Sequence, residues 1–441
     1  MQLPTKLTQR QIIIAGIVVF VVIGVLALFI LNLRSGGGSA STATLVVWGT
    51  DSEKAFNDMI EKYTGPGSGT NASIKYTQID PSNYQSDVLS ALAAGDAPDI
   101  FEIGNHDLPQ WRNVLLPMPP TIFAKTFNTA TLQTDFPDVV SQDFVSSGYI
   151  YALPLSIDTL AMIYNKDLFN TAGIATLPKT WTQFENDVPL LRGVNASGQI
   201  TQAAAAIGGS QASIPDAPDL VYLLMLQNGT QMNGTGGSSV AFANTSGGTG
   251  AAGVDAFNFY LSFANAGSPY YTWADSMGNA ENSFAGGKTA IIFGYSSDLA
   301  TIKSESPFLN YGVAAMPQPD NASDTVNYAS YNGLAVNKNS PNWLAAWNFI
   351  VSLTTNPADE NIYMTDTGSP PALRTSISAA EIGGDPVMSV YAQQALTAQS
   401  WYESNSAKIA SAVNSAILDV LNGSADSTTA LNEAQSEVNG N

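Results

Sequence analysis

The chain has 441 residues, with 36 Asp and Glu against 16 Lys and Arg, a formal net charge of −20, 45% apolar residues and no cysteine. So acidic a surface disfavours nucleic acid and anionic lipid as ligands, and the lack of cysteine removes both disulfide staples and a lipid-modified N-terminal cysteine. A body of roughly 400 residues is more than one hydrophobic core usually holds, so two domains are expected.

Ile12 to Leu31 is an unbroken run of 20 apolar residues, long enough as a helix to cross the roughly 30 Å hydrocarbon core of a bilayer. Lys6 and Arg10 precede it and only Arg34 follows, which favours a cytoplasmic N-terminus and an external body. The small residues Ser39 to Ala43 leave a cleaved signal peptide as the competing reading, but its apolar core normally runs about 7–15 residues. Residues 1–34 are therefore expected to be a cytoplasmic tip and an uncleaved single-pass transmembrane anchor. Residues 35–44, SGGGSASTAT, form a flexible Gly/Ser tether. The anchor holds three of the 16 basic residues, leaving 13 against 36 acidic ones in the body.

The body begins with the strand Leu45 to Trp48, followed by Asp51 or Ser52 as cap of a helix from about Glu53 to Tyr63. Ile74 to Ile79 alternates as a strand, Tyr84 to Ala94 has helical periodicity, and Asp99 to Ile103 is a short buried strand. This alternation predicts a mainly parallel, doubly wound α/β sheet, in which ligands bind at the carboxyl ends of strands. The loops after Trp48 and Ile103 then lie at a cleft edge. Tyr149 to Leu155 and Leu160 to Tyr164 read as strands, and Thr180 as the N-cap of a helix that starts at Trp181. Thr230 to Gly253, rich in Gly, Ser, Asn and Thr, is expected to be a mobile surface loop with few core contacts. Trp343 and Trp347, four apart on a helix, share one core-facing stripe, and Ser406 to Leu421 is a further helix ending at Asn422-Gly423.

The segment from Gly148 to Phe184, GYIYALPLSIDTLAMIYNKDLFNTAGIATLPKTWTQF, resembles the signature of the extracellular solute-binding proteins that feed ABC importers, carbohydrate-type (maltose-type) members above all. AAGDAPDIFEIG (Ala93 to Gly104), Leu115-Leu116-Pro117-Met118, FAGGKTAIIFGYSSDL (Phe284 to Leu299) and YNGLAVNKNSPNWLAAWNFIVSLTT from Tyr331 are similar to further blocks of that family in the same order. The resemblance implies a two-lobed periplasmic-binding-protein-like fold with an interdomain hinge and cleft, and chain crossings near Ser156, Tyr328 and Gly368. One lobe would comprise residues 45–156 and about 328–367, the other about 157–327 and 368–441.

It also implies the ligand contacts. Trp48, Asp51, Ser52 and Glu53 stand where the family often meets its ligand; Asp107 and Asp158 stand where maltose-type relatives carry sugar-binding carboxylates; Tyr295 with Ser296, Tyr331 with Asn332, and Trp401 stand where an aromatic ring faces the cleft. Such a set suits sugars, which need flat apolar surfaces for ring faces and planar polar groups for hydroxyls. Taken without the family, Trp48 is a half-buried strand residue, Asp51 or Ser52 a plain cap, His106 a surface residue, Trp181 a structural ring, and Trp401 equally a core residue. The function implied is capture of a carbohydrate, an oligosaccharide above all, and its delivery to ABC permease subunits, by a monomer with no cofactor, no metal and no catalytic residues. Two readings compete: a secreted carbohydrate-active enzyme using paired carboxylates, and a binding protein for a non-sugar solute such as a polyamine or Fe³⁺. No Walker loop, Gly-x-Ser-x-Gly elbow or His-Glu-x-x-His motif occurs, and a lone histidine without cysteine makes a transition-metal site unexpected.

Overall fold

The computed structural model describes residues 44–65, 73–235, 237, 239–244, 251–378 and 384–440. The apolar run Ile12 to Leu31 lies outside the described residues, and so does nearly all of the tether; among the described residues no helix is long and apolar enough to cross a membrane.

Two sheets, each with its own core, build the body. In the first, the strands run in the order Ser73–Gln78, Thr44–Gly49, Ile100–Gly104, Asn332–Val336 and Ala152–Pro154. The first three are parallel; Asn332–Val336 enters from the far side and pairs antiparallel with both of its neighbours, so Ala152–Pro154 runs in the direction of the first three. Leu45, Val47, Phe101, Leu334 and Trp347 fill this core. In the second sheet the order is Tyr311–Ala314, Ala161–Asn165, Thr289–Gly294, Ile200–Ala205 and Gly193–Val194. Here one pair of neighbours is parallel and the other three are antiparallel. The expectation of mainly parallel winding therefore holds for one half of one sheet. A strand that arrives through a hinge enters its new lobe from the cleft side, opposite to the strands wound within that lobe, and so must run against them.

A three-stranded sheet, Ala398–Gln399, Asn327–Ser330 and Asp158–Thr159, carries the crossings between lobes. The third crossing thus falls at Ala398 to Trp401 rather than near Gly368. Gly368 is the left-handed cap (φ 72°) of the helix Pro357–Thr367, a local turn of the kind glycine favours. Beyond it Ala372, Leu373, Ile377, Ala392 and Ala395 join the first core, whereas Trp401, Ile409, Val413 and Leu431 join the second.

Local signals placed most elements correctly. Ser52 caps the helix Glu53–Thr64 through its hydroxyl, which accepts from the Ala55 N–H, and Thr180 caps Trp181–Leu191 by accepting from Gln183. The helices Tyr84–Ala94 and Ser406–Leu421 have the bounds that their periodicity predicts. Trp347 is fully buried and Trp343 packs at the edge of the same core. The segment expected as a contact-poor loop differs: within it Val240, Ala241, Phe242 and Ala243 are buried, and Phe242 meets the ring of Trp401 edge-on at 6.4 Å. Gly253 makes this possible, since a Cβ there would collide with the Phe242 carbonyl. Four apolar residues in a row were enough to dock a segment that is otherwise polar.

Candidate functional site

The strands Thr44–Gly49 and Ile100–Gly104 run parallel and end at the same edge, so the residues that follow them face the other lobe. Glu102 is the single charge in the strand IFEIG and only 4% exposed. Its Oε2 accepts from the Thr50 N–H at 2.9 Å and the Thr50 hydroxyl at 3.0 Å. The carboxylate lies so close to the neighbouring strand that a Cβ at Gly49 would overlap Oε1. Asp51, one turn further, accepts from the Tyr363 hydroxyl at 2.7 Å. Across the hinge, Asp158 accepts from the Ser296 N–H at 2.9 Å, the Ser296 hydroxyl at 2.6 Å and the Thr159 N–H at 2.8 Å. Asp51, Glu102, Tyr331 and Tyr363 of the first lobe, with Asp158 and Ser297 of the second, line a cavity of about 200 Å³.

Burial penalises every charge here. It pushes the Glu102 carboxyl up to about 8, with the nearby Asp51 adding to the shift, raises Asp51 as well, and brings Asp158 to about 6 against the opposing hydrogen bonds from Ser296. Behind Asp158, burial takes Asp219 to about 6 and Asp216 to about 8, the latter helped by Asp298 and Asp219.

A second cavity of about 320 Å³ opens further along the same interface, lined by Asn105, His106, Gln142 and Asp143 of the first lobe and Met232 and Trp401 of the second. Asp143 is its hub. It accepts from the Tyr331 hydroxyl at 2.7 Å, from Asn105 Nδ2 at 3.1 Å and from the Ser400 hydroxyl, while Gln142 Nε2 donates to the Ser400 carbonyl at 2.7 Å. Desolvation still lifts Asp143 to about 7. His106 Nε2 lies 3.1 Å from the Tyr328 hydroxyl and its Nδ1 lies 3.3 Å from Glu403. Burial holds the imidazole down at about 4 and drives Glu403 well above the usual carboxylate range, so burial opposes an ion pair from both sides. Trp401 Nε1 and the Thr230 hydroxyl, both buried and both at this cavity, have no hydrogen-bond partner among the described residues. A larger hollow of about 460 Å³ beside Asn258 and Val420 is formed by residues of one lobe.

Of the residues expected at the site, Asp51, Asp158, Tyr331 and Asn332 line the first cavity and Trp401 the second. Ser296 sits behind Asp158 as its donor. Asp107 reaches across the lobes at another point, accepting from the Ser406 hydroxyl at 2.6 Å. The structure does not bring the others to either cavity. Trp48 packs half-buried on the first core; Ser52 is spent as an exposed cap and Glu53 is exposed in the first helical turn. Tyr295 is 7% exposed, with its hydroxyl on Asp219 at 2.7 Å and its N–H on Asp298 at 2.7 Å: it positions the acidic wall and presents no ring face. Among the described residues no group of three or more histidines or carboxylates is close enough to hold a metal ion.

Comparison with known proteins agrees with this layout. The family described as bacterial extracellular solute-binding protein matches residues 49–360. The chain belongs to this family. A diacetylchitobiose binding protein of Streptomyces coelicolor is 28% identical over 162 residues, 35% of either chain, so the match spans about a third of that relative's length. A maltodextrin-binding protein of Bacillus subtilis is 26% identical over 313 residues, 69% of this chain and 70% of the relative. Among solved structures, a cyclic alpha-maltosyl-1,6-maltose binding protein of Arthrobacter globiformis has a TM-score of 0.74 at 18% identity, covering 91% of this chain and 99% of that one. A Listeria monocytogenes substrate-binding protein in complex with cycloalternan has a TM-score of 0.71 with the same identity and coverage. The two-lobed fold is thus that of the solute-binding family.

Four residues at these cavities escaped the sequence reading: Glu102, Tyr363, Asp143 and Ser400. A signal existed for Glu102, because a lone carboxylate inside a buried apolar strand needs a reason. For Asp143 there was none: in DVVSQDF it looks like one more polar position of an amphipathic helix.

Proposed function

We propose that the protein captures an oligosaccharide in the interlobe cleft and delivers it to the membrane subunits of an ABC importer. The observation that carries this reading is the pair of cavities lined from both lobes, with hydrogen-bonding carboxylates and amides at one end and the Trp401 indole, its N–H unpartnered, at the other. Sugar hydroxyls can donate to the carboxylates and accept from Trp401 and Thr230, and a ligand held by both lobes shifts an open–closed population toward the closed form. The names of the relatives, which bind diacetylchitobiose, maltodextrin and cyclic maltosyl-maltose, support a carbohydrate. The cleft is a binding device in this reading, and no turnover of the ligand is expected.

Two parts of the proposal rest on sequence. Retention at the membrane by the helix Ile12 to Leu31 places the body outside the cell; N-terminal sequencing of the mature protein beginning near Ala40 to Leu45 would refute it. A monomeric state follows from the single-chain cleft and is checked by light scattering. The binding claim is tested by thermal shift followed by calorimetry over maltodextrins, chitin oligosaccharides, polyamines and Fe³⁺, since a solute bound only by the native state raises its melting temperature. A shift with oligosaccharides supports the proposal; a shift with Fe³⁺ alone would replace it.

A further inference from the structure

The far-end cavity of about 320 Å³ has two buried hydroxyl or indole groups in its wall that find no protein partner. Trp401 is 4% exposed, and neither its Nε1 nor the Thr230 hydroxyl has a hydrogen-bond partner among the described residues. An indole N–H can only donate, and a buried donor left without an acceptor is costly and calls for an explanation. The rings packed edge-on behind the indole, Tyr222 at 5.4 Å and Phe242 at 6.4 Å, supply none, the Tyr222 hydroxyl being itself unpartnered among the described residues. The acceptor has to come from the cavity that Trp401 and Thr230 both line. The rest of the wall narrows its chemistry. Asp143 is already occupied, Oδ2 by Tyr331 and Asn105 and Oδ1 by Ser400. Gln142 and Asn233 donate from their amide nitrogens to the carbonyls of Ser400 and Tyr402, and their amide oxygens are acceptors. Leu226 and Met232 add an apolar face.

We propose that this cavity is an acetamido subsite and that the captured oligosaccharide is built from 2-acetamido-2-deoxy sugars. The acetamido carbonyl oxygen accepts from Trp401 Nε1 and the Thr230 hydroxyl, its N–H donates to the amide oxygen of Gln142 or Asn233, and its methyl lies against Leu226 and Met232. The inference rests on the carbohydrate reading above and adds the substituent that the far end selects. A sugar hydroxyl can accept from the indole but brings no methyl to the apolar face. An ammonium group sets its protons against the indole N–H and finds Asp143 already taken. Only a neutral group that combines a carbonyl, an N–H and a methyl answers the whole wall, and a site whose buried donors need that carbonyl discriminates against analogues that lack it.

The test is calorimetry on the full chain with diacetylchitobiose, chitobiose with both amines free, and cellobiose, three disaccharides of one skeleton that differ at the C2 substituent, and with maltotriose. Diacetylchitobiose is expected to bind at least about tenfold more tightly than cellobiose or chitobiose, the scale of one hydrogen bond to a donor otherwise buried without a partner. That ratio should collapse in Trp401→Phe, which keeps a ring and removes the N–H, shrink in Thr230→Val, and persist in Glu53→Gln, whose target is exposed and outside both cavities. Melting temperatures establish that the variants fold; if Trp401→Phe does not, Thr230→Val decides. Equal or tighter binding of cellobiose or chitobiose by the wild type assigns the two donors to water and overturns the inference, as does a ratio that survives Trp401→Phe, or Thr230→Val where that variant decides. Binding of maltotriose alone overturns the inference and leaves the carbohydrate reading standing. Silence from all four probes overturns the inference, and a thermal shift with polyamine or Fe³⁺ alone overturns the carbohydrate reading with it.

Discussion

The two ends of the cleft handle buried carboxylates in opposite ways. At the far end Asp143 is surrounded by donors from both sides of the interface, Tyr331 and Asn105 from one, Ser400 beside Trp401 from the other. At the hinge end, among the described residues, the side chain of Glu102 is held by Thr50 alone, that of Asp51 by Tyr363, and that of Asp158 by Thr159 and Ser296 of its own lobe. At the far end the protein surrounds the carboxylate from both lobes, and at the hinge end the acids of the two lobes are bonded each within its own lobe and line the cavity. A cleft needs both, because bonds across the lobes define the closed geometry while acids bonded within each lobe keep their place when it opens.

The largest effect that would break this contrast is on stability. Asp143→Ala strands the Tyr331 hydroxyl and the Asn105 amide in a buried place, and each unsatisfied group costs about 1–3 kcal/mol, so urea unfolding should show a loss of about 3 kcal/mol. Glu102→Gln should cost less than about 1 kcal/mol, because the side chain keeps its acceptor oxygen for Thr50 and sheds a disfavoured charge. Equal losses in the two variants would show that the two ends are alike.

Next in size is ligand affinity. Asp158→Asn should weaken binding of the cognate solute by about 1–2 kcal/mol, the value of hydrogen bonds to a charged acceptor, and Trp401→Ala by about 1–3 kcal/mol through lost ring contact. Tyr295→Phe should leave affinity nearly unchanged and lower stability by about 1 kcal/mol through its bond to Asp219. Calorimetry and melting curves on the three variants separate contact from support.

pH sharpens the contrast further. Glu102, Asp143 and Asp158 have pKa values raised by burial to about 8, 7 and 6, above the unfolded carboxylate range. Each therefore adds stability that is complete below that range and is lost as pH rises through the folded value. His106 works the other way: its value is depressed to about 4, so its contribution is present above the ordinary histidine range and lost as pH falls toward 4. Stability of the ligand-free protein should rise as pH drops from about 9 toward the unfolded carboxylate range, less steeply below about 6.5, where the single His106 offsets one of the three acids. Glu102→Gln should flatten the upper part of the curve; a stability that instead rises with pH above neutrality would contradict the burial of these acids.

How far the sequence disclosed this comparison follows from what each residue needs. Caps, strand runs and helical periodicity are local, and Ser52, Thr180 and the helix Ser406–Leu421 stand where local rules place them. Asp51, Asp158, Tyr331 and Trp401, which line the cavities, were named because strand ends and crossings in a resembling family carry such residues. Trp48 and Tyr295 line neither cavity, because an aromatic ring at a strand end can turn either into the cleft or into the core, and neighbouring side chains far away in sequence decide. Tyr295 turns inward because Asp219, 76 residues earlier, is there to take its hydroxyl. Asp143 and Ser400, 257 residues apart, share no local pattern at all; only the closed arrangement of the lobes brings them together.

Hydrogen exchange on the full chain, with and without a saturating oligosaccharide identified by the thermal screen, tests the central claim most directly. The account predicts that ligand slows exchange at both walls at once, at the Thr50 and Ser296 amides beside the hinge-side acids and in the Gln399 to Trp401 crossing at the other end, because one solute binds both lobes. Protection confined to a single lobe, for example around the outer hollow beside Asn258 and Val420, would contradict it.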